Sequence, residues 1–228
     1  MSANPSFDEI PDEHARALFP ANCFSTIYEL ETLGFSLICH LSSSITPQTH
    51  SMLSLLVNRA SQTKAVVASV ASLTPATTRP AVNYVEFNTE FEDGSEIDTS
   101  NSSTVKVFYD VPQKVTVKIP HLKDVGRLYH VHLYLVEQRA SRAVLAEPGT
   151  EVEHLCASVR KSLAQQAELG YYFLDESTER YRHTWKGAIR STWRLLWPAK
   201  PVIERRQAQA GRRIATEAAL AMNREPLI

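Results

Sequence analysis

The fold is decided by residues 82–100, VNYVEFNTEFEDGSEIDTS. Val85 and Phe87 share one face of this stretch, and the glutamates between and after them share the other, which is the two-residue period of a half-buried β-strand. Asp93-Gly94 follows as a hairpin turn, because a type I′ turn needs positive φ at both central positions. The stretch therefore predicts a β-hairpin whose return strand carries Ile97 and Thr99.

The same period recurs on both sides of the hairpin. It predicts further strands over Phe35–Leu41, Met52–Asn58, Lys64–Leu73, Val105–Tyr109 and residues 115–119. Segments rich in serine, threonine and proline separate these strands, as turns do. Six or seven strands in consecutive hairpins would form an antiparallel meander.

Apolar residues at helical spacing surround the predicted sheet. They predict helices within residues 11–33, 122–146, 150–169 and 202–223. The resulting fold is α+β, with an N-terminal helix, a six- to seven-stranded antiparallel meander with helices packed on one face, and a helical C-terminal extension. We expect residues 1–146 to form the sheet domain and residues 147–228 to form a helical C-terminal region packed on it.

The composition is that of a soluble globular protein, with 43% hydrophobic and 21% charged residues among 228. Three cysteines without a CxxC pattern predict no disulfide framework, and no apolar run is long enough to span a bilayer. The first residues lack the basic start and apolar core of a signal peptide. These features predict a cytoplasmic protein.

The net charge of −1 hides a strong asymmetry along the chain. Residues 180–228 contain 11 lysines and arginines but only three glutamates, a net charge of +8. Residues 1–179 contain 13 basic and 22 acidic side chains, a net charge of −9. Such a division favours an anionic partner or docking of one part of the chain on the other.

All three tryptophans lie within residues 181–198, YRHTWKGAIRSTWRLLWP, where they alternate with basic residues. As a helix, this stretch would place Tyr181, Trp185, Ile189, Thr192 and Leu196 on one face. The helix could lie in a membrane interface, stack on single-stranded nucleic acid, or pack its tryptophans against the sheet while its arginines meet acidic strands. Gly187, beside Ala188, favours close approach to another element. The candidate binding residues are Arg182, Trp185, Lys186, Arg190, Trp193, Arg194 and Trp197.

A second candidate is a pocket lined by Tyr129, His130 and His132 on the predicted helix after the sheet. Histidines two residues apart point about 200° apart on a helix, so no metal site is predicted, and His132 on the apolar stripe is typical of a hydrogen-bonded core histidine.

Acidic residues gather around the main hairpin. They are Glu86, Glu90, Glu92, Asp93, Glu96 and Asp98. Paired carboxylates can act as acid and base or as cation ligands, although a solvated sheet face is the simpler interpretation. The sequence has no nucleophile elbow and no glycine-rich phosphate loop, so no catalytic residues and no cofactor are predicted.

Several segments resemble an uncharacterised group of bacterial proteins. The matching segments are Thr32–Phe35, Asp93-Gly94, Thr99–Asn101, Leu128–His132 and Tyr181–Ala188. This resemblance implies a shared order of segments and no known activity.

The leading hypothesis is therefore a non-catalytic bacterial binding or adaptor protein that engages an acidic protein or an anionic membrane surface through its basic, tryptophan-rich C-terminal helices. A protein of this kind would be cytoplasmic or peripheral to the inner membrane. The alternatives are a small-molecule or hydrolytic site between the sheet and the His130 helix, and nucleic-acid binding.

Overall fold

The computed structural model describes residues 2–46, 49–72, 81–104, 109–195 and 199–222. The elements follow in the order β1 (Asp8–Ile10), α1 (Asp12–Leu18), α2 (Ala21–Thr32), β2 (Ser36–Thr46), β3 (Thr49–Asn58), β4 (Thr63–Ser72), β5 (Val82–Phe91), β6 (Glu96–Ser100), β7 (Lys114–Lys118), α3 (Val125–Glu137), β8 (Ala143–Val144), α4 (Glu151–Glu168), β9 (Tyr172–Asp175), β10 (Arg180–His183), α5 (Trp185–Leu195) and α6 (Ala199–Met222). The predicted α+β class is confirmed.

The main sheet follows the order β1-β2-β3-β4-β5-β6-β7, so neighbours in the sequence are neighbours in space. The predicted hairpin is present, since Phe87 on β5 pairs with Thr99 on β6 and Gly94 takes a φ of +77° in the turn. Asp93 does not take a positive φ, so the turn is not of the predicted type I′. β1 was not predicted. It adds three residues to the edge beside β2.

The last strand differs from the predicted meander, because β7 pairs with β6 in parallel. Residues 101–113 connect the two strands. A parallel connection needs about a dozen residues, and this segment has that length, whereas a tight hairpin turn would have forced antiparallel pairing. Of the strand predicted over Val105–Tyr109, residues 105–108 lie outside the described part of the chain, and Tyr109 is not in a strand.

The sheet separates two different layers. Val67 on β4 packs in the main core with α2 and α3, whereas its neighbour Val66 packs with Val152 and Leu155 of α4. Adjacent residues of a strand point to opposite faces, so α4 crosses the face opposite to α3. Helices were predicted on one face, and the structure adds α4 on the other.

The helix predicted over residues 122–146 ends at Glu137. Residues 143–144 form β8 instead, which pairs with Glu90 and Phe91 of β5. β4 pairs with β5 only as far as Asn88, so the edge of β5 that faces away from β6 would lack partners at Glu90 and Phe91 without β8. Satisfying buried backbone groups here outweighs extension of the helix.

Within the described residues, no helix combines the length and the apolar character needed to cross a membrane.

The close approach of α6 to β7 generates a prediction about stability. A Cβ atom on Gly211 would lie 2.4 Å from the carbonyl oxygen of Lys118, which is backbone and cannot rotate away. We expect Gly211→Ala to lower the free energy of unfolding by about 1–3 kcal/mol, measured by urea denaturation.

Gly126→Ala in α3 is the matched control, since its Cβ would have only ordinary contacts at 3.5 Å and beyond. It should be neutral or stabilise the protein by up to about 1 kcal/mol, the usual difference in helix propensity. Equal effects of the two substitutions would contradict the close approach.

Candidate functional site

Helix α5 is held by its first turn. Thr184 precedes it and accepts a hydrogen bond through Oγ1 from the Gly187 amide at 3.0 Å, as an N-cap residue does. The predicted close approach of Gly187 is confirmed, since a Cβ atom there would lie 2.0 Å from the carbonyl oxygen of Tyr171. This contact fixes which side of α5 faces the protein.

The side of α5 that faces the protein is basic. The rings of Tyr109 and Tyr171 stack with centroids 3.7 Å apart. The Arg190 guanidinium lies 5.0 Å from the first centroid and 5.1 Å from the second, and it donates a hydrogen bond to the Tyr171 hydroxyl. Arg194 lies 5.2 Å from the Tyr109 ring, and Lys186 lies 4.8 Å from the Tyr171 ring. These cation–π contacts attach α5 to the rest of the protein.

The opposite side of α5 is apolar and faces solvent. Trp185 is 80% exposed, Ile189 is 62% exposed and Trp193 is 60% exposed. These three residues are spaced four apart, so they form one continuous row on the helix. We call Trp185, Ile189 and Trp193 the α5 ridge. The interpretation that buries the tryptophans against the sheet is wrong for Trp185 and Trp193.

Two other expectations for this stretch are corrected. The helix begins at Trp185, so Tyr181 and Arg182 belong to β10, and they do not extend the ridge. Arg182 pairs with Asp175 at 2.7 Å. Leu196 and Trp197 lie outside the described residues. In the β9–β10 hairpin, Tyr172 pairs with His183 and packs in a small aromatic cluster with Tyr109 and Tyr171.

Most of the exposed apolar side chains lie in the C-terminal part of the chain. Of the eleven large ones in the described ranges, eight lie from Leu169 to Leu220, and three of these eight are the ridge residues. Arg205, Arg206 and Arg212 are exposed on α6 and form no ion pair with the described residues. The C-terminal region therefore combines exposed apolar and cationic side chains, a combination that marks interaction surfaces.

The histidine pair does not form the predicted pocket. His130 is exposed, whereas His132 is completely buried. Its Nε2 lies 2.9 Å from Thr89 Oγ1 and its Nδ1 lies 3.1 Å from Thr99 Oγ1, so both ring nitrogens are satisfied. Tyr129 donates its hydroxyl proton to Ser61. His132 is thus the hydrogen-bonded core histidine that the apolar stripe predicted.

Of the six acidic residues around the hairpin, Glu92 and Asp93 are exposed at the turn, as expected for a solvated turn, and none of the six belongs to a group that could hold a metal ion. Glu96 and Asp98 are buried, and Lys114 lies 2.9 Å from the first and 2.7 Å from the second. Lys161 of α4 lies 2.8 Å from the other oxygen of Glu96. Burial alone would raise the pKa of Glu96, but the two ammonium groups hold it below its usual value.

Glu90 belongs to the same face of the sheet, with Lys64 2.5 Å and His154 3.6 Å away. Among the described residues, no group of histidine, cysteine or acidic side chains could hold a metal ion. Sequence reasoning missed this neutralisation because Lys64, Lys114 and Lys161 are far from the hairpin in the chain. The available signal was the presence of Lys64 and Lys114 in strand patterns, each followed by an apolar residue; Lys161 lies on α4 and gave no such signal.

Comparison with protein-family models, curated proteins and solved structures finds no match to this chain. The resemblance to the bacterial group stays a prediction.

The orientation of α5 predicts opposite effects for its two sides. Arg190→Ala should lower the free energy of unfolding by about 1–2 kcal/mol, because it removes contacts with two aromatic rings. Trp185→Ala should change it by no more than about 0.5 kcal/mol, as exposed positions do. Chemical denaturation of both variants measures the two changes in the free energy of unfolding. Arg205→Ala is the control for the loss of an exposed arginine. A larger cost for Trp185→Ala than for Arg190→Ala would contradict the orientation.

Burial of His132 predicts a pH dependence. Burial favours the neutral ring and lowers the pKa of His132 to about 3, against an ordinary value of 6.5. The unfolded chain therefore binds the proton more readily, so the stabilisation is complete above pH 6.5 and is lost as the pH falls toward 3.

In the window from pH 6.5 to 5, this residue should contribute a slope of up to about 1.4 kcal/mol per pH unit. His132→Gln should remove that slope, whereas His130→Gln should keep it, since His130 is exposed. The slope is measured from denaturation curves recorded across this pH range. If the His132→Gln variant kept the slope, His132 would not be its source.

Proposed function

We propose that this chain is a non-catalytic bacterial binding protein that docks on an anionic membrane surface through the α5 ridge and the basic residues of its C-terminal region. The observation that carries the proposal is the outward exposure of Trp185, Ile189 and Trp193 in one row. α5 spans about 16 Å at 1.5 Å per residue, a length that can lie flat in the headgroup region.

The chemistry of the ridge favours a lipid surface over an acidic protein. The indole N–H groups are the only polar side-chain groups of the ridge, and indoles partition to the boundary between headgroups and acyl chains. The arginines of α5 are turned onto Tyr109 and Tyr171, so they are not placed to select individual carboxylates on a protein partner. A convex apolar row inserts into a lipid interface without needing a complementary groove.

The charge distribution of the chain would attract the protein to an anionic membrane and orient it there. Residues 180–228 carry a net charge of +8, and residues 1–179 carry −9, so an anionic surface attracts the C-terminal region and repels the rest. Each lysine or arginine near such a surface contributes about 1 kcal/mol. The exposed arginines of α6, Arg205, Arg206 and Arg212, are available for this role. The protein would then lie on the cytoplasmic face of the inner membrane.

The tryptophans provide the test. All three lie within residues 185–197, so the intrinsic tryptophan fluorescence reports on this segment alone. We expect a blue shift and co-sedimentation with vesicles that contain phosphatidylglycerol, little binding to pure phosphatidylcholine, and weaker binding at high salt.

Replacing the three ridge residues by serine should weaken binding at least about tenfold, or about 1.4 kcal/mol, because buried apolar surface is lost. Binding of this triple variant is read by co-sedimentation. Tyr28→Ser is the matched control, because Tyr28 is 70% exposed but lies on α2. Absence of binding to anionic vesicles at low salt would overturn the proposal, as would unchanged binding of the triple variant. Binding to single-stranded DNA or to an acidic protein, without binding to vesicles, would replace it with one of those partners.

A further inference from the structure

Helix α5 carries a row of basic side chains beside the ridge. Lys186, Arg190 and Arg194 each follow a ridge residue by one position, so each stands about 100° around the helix from that residue. When the ridge of such a helix is immersed in a lipid interface, the side chains on its flank stand at the level of the headgroups. A group that binds these cations therefore approaches along the flank of α5, as a lipid headgroup does.

Arg190 and Arg194 are two cations that the protein brings together without an acid. Both guanidinium groups lie against the ring of Tyr109, at 5.0 and 5.2 Å from its centroid. Neither arginine forms an ion pair with a described residue, whereas Arg182 of β10 pairs with Asp175 at 2.7 Å. Like charges four residues apart on a helix repel each other, so an anion bound between these two arginines is favoured.

The two arginines also keep most of their hydrogen-bond donors. Arg190 donates to the Tyr171 hydroxyl, and Arg194 donates no hydrogen bond to the described residues. Ser191 adds a hydroxyl group between them in the chain, and its Oγ lies 3.1 Å from the hydroxyl oxygen of Tyr109. When the tyrosine donates to the serine, the serine proton is left for an anion. Arg190 is exposed, and Ser191 and Arg194 are half-buried, so a ligand can reach all three side chains.

We propose that Arg190, Arg194 and the Ser191 hydroxyl bind the phosphate of a lipid headgroup, and that they prefer a phosphomonoester, as in phosphatidic acid, to a phosphodiester. This inference rests on the proposed function, because the headgroup meets the arginines only when the α5 ridge is at the membrane. It adds to that function the identity of the headgroup.

The preference follows from the number of oxygens and from their charge. A phosphomonoester presents three terminal oxygens and a charge of about −1.5 to −2 at pH 7. Each guanidinium can bind phosphate oxygens through two parallel N–H···O bonds, so two guanidinium groups and one hydroxyl can engage all the terminal oxygens. A phosphodiester, as in phosphatidylglycerol, has a single charge and fewer terminal oxygens, and it leaves part of these donors unused.

The experiment compares two sets of phosphatidylcholine vesicles, one with phosphatidic acid and one with phosphatidylglycerol, whose contents are adjusted to equal zeta potential. Because the surface charge is then equal, a difference in affinity reports on the headgroup. We expect co-sedimentation of the full chain to give an affinity at least about fivefold higher for the phosphatidic acid vesicles.

Two substitutions test the residues. Arg194→Lys should reduce the preference to less than about twofold and keep the binding to phosphatidylglycerol, because lysine retains the charge but not the planar fork. Ser191→Ala should weaken binding to phosphatidic acid by about threefold, through loss of one hydrogen bond. Arg142→Lys is the matched control and should keep the full preference, since Arg142 is exposed and pairs with Glu92 at 3.8 Å, outside the C-terminal region.

Glycerol 3-phosphate distinguishes a lipid from a soluble phosphate compound, because it carries the same phosphomonoester without acyl chains. At constant ionic strength, we expect it to displace the protein from phosphatidic acid vesicles only above about 1 mM. Displacement at lower concentrations would assign the site to a soluble ligand and overturn the inference.

The failure of this inference differs from the failure of the proposed function. Equal affinity for the two sets of vesicles would overturn the inference alone, whereas absence of binding to both would overturn the two together. A full preference in Arg194→Lys would also overturn the inference. This variant keeps a cation beside Tyr109, so it is expected to fold.

Discussion

The pairing of buried carboxylates with lysines is the constraint on which the rest of the structure depends. One face of the sheet is apolar and is covered by α2 and α3, whereas the other carries Glu96 and Asp98 in buried positions. Buried carboxylates without partners would destabilise the fold by several kcal/mol. Lys114 from β7 and Lys161 from α4 neutralise them. The same ion pairs therefore help to fix the parallel last strand and the helix that crosses this face.

The position of α4 determines the position of the C-terminal surface. Gln166, near its end, exchanges two hydrogen bonds with the backbone of Tyr109 at 2.8 and 3.1 Å. Tyr109 stacks on Tyr171, and the pair receives Arg190. α4 packs on the charged face of the sheet and positions Tyr109, and Tyr109 and Tyr171 position Arg190 of α5. The outward direction of the α5 ridge therefore depends on the charged face of the sheet. Residues that resemble a binding motif in the sequence thus divide into arginines that contact the rest of the protein and tryptophans, Trp185 and Trp193, that are exposed to solvent.

The α5 ridge is apolar, and the part of the chain that contains it is positively charged. This combination is the basis of the proposal that the ridge docks on an extended surface of anionic lipid headgroups.

The sequence by itself determined strands β2 to β7 of the main sheet, the hairpin and the α+β class, because side-chain alternation and turn chemistry act over a few residues. It also determined that His132 is a core residue and that the C-terminal region is cationic. Only the tertiary structure decided that β7 runs parallel to β6, that lysines from β4, β7 and α4 neutralise the acidic hairpin, and that Trp185 and Trp193 face solvent. A helical pattern shows that a row of residues shares one face, but the direction of that face depends on contacts with distant residues. For α5, those contacts are the close approach of Gly187 to Tyr171 and the stacking of Arg190 on two tyrosines.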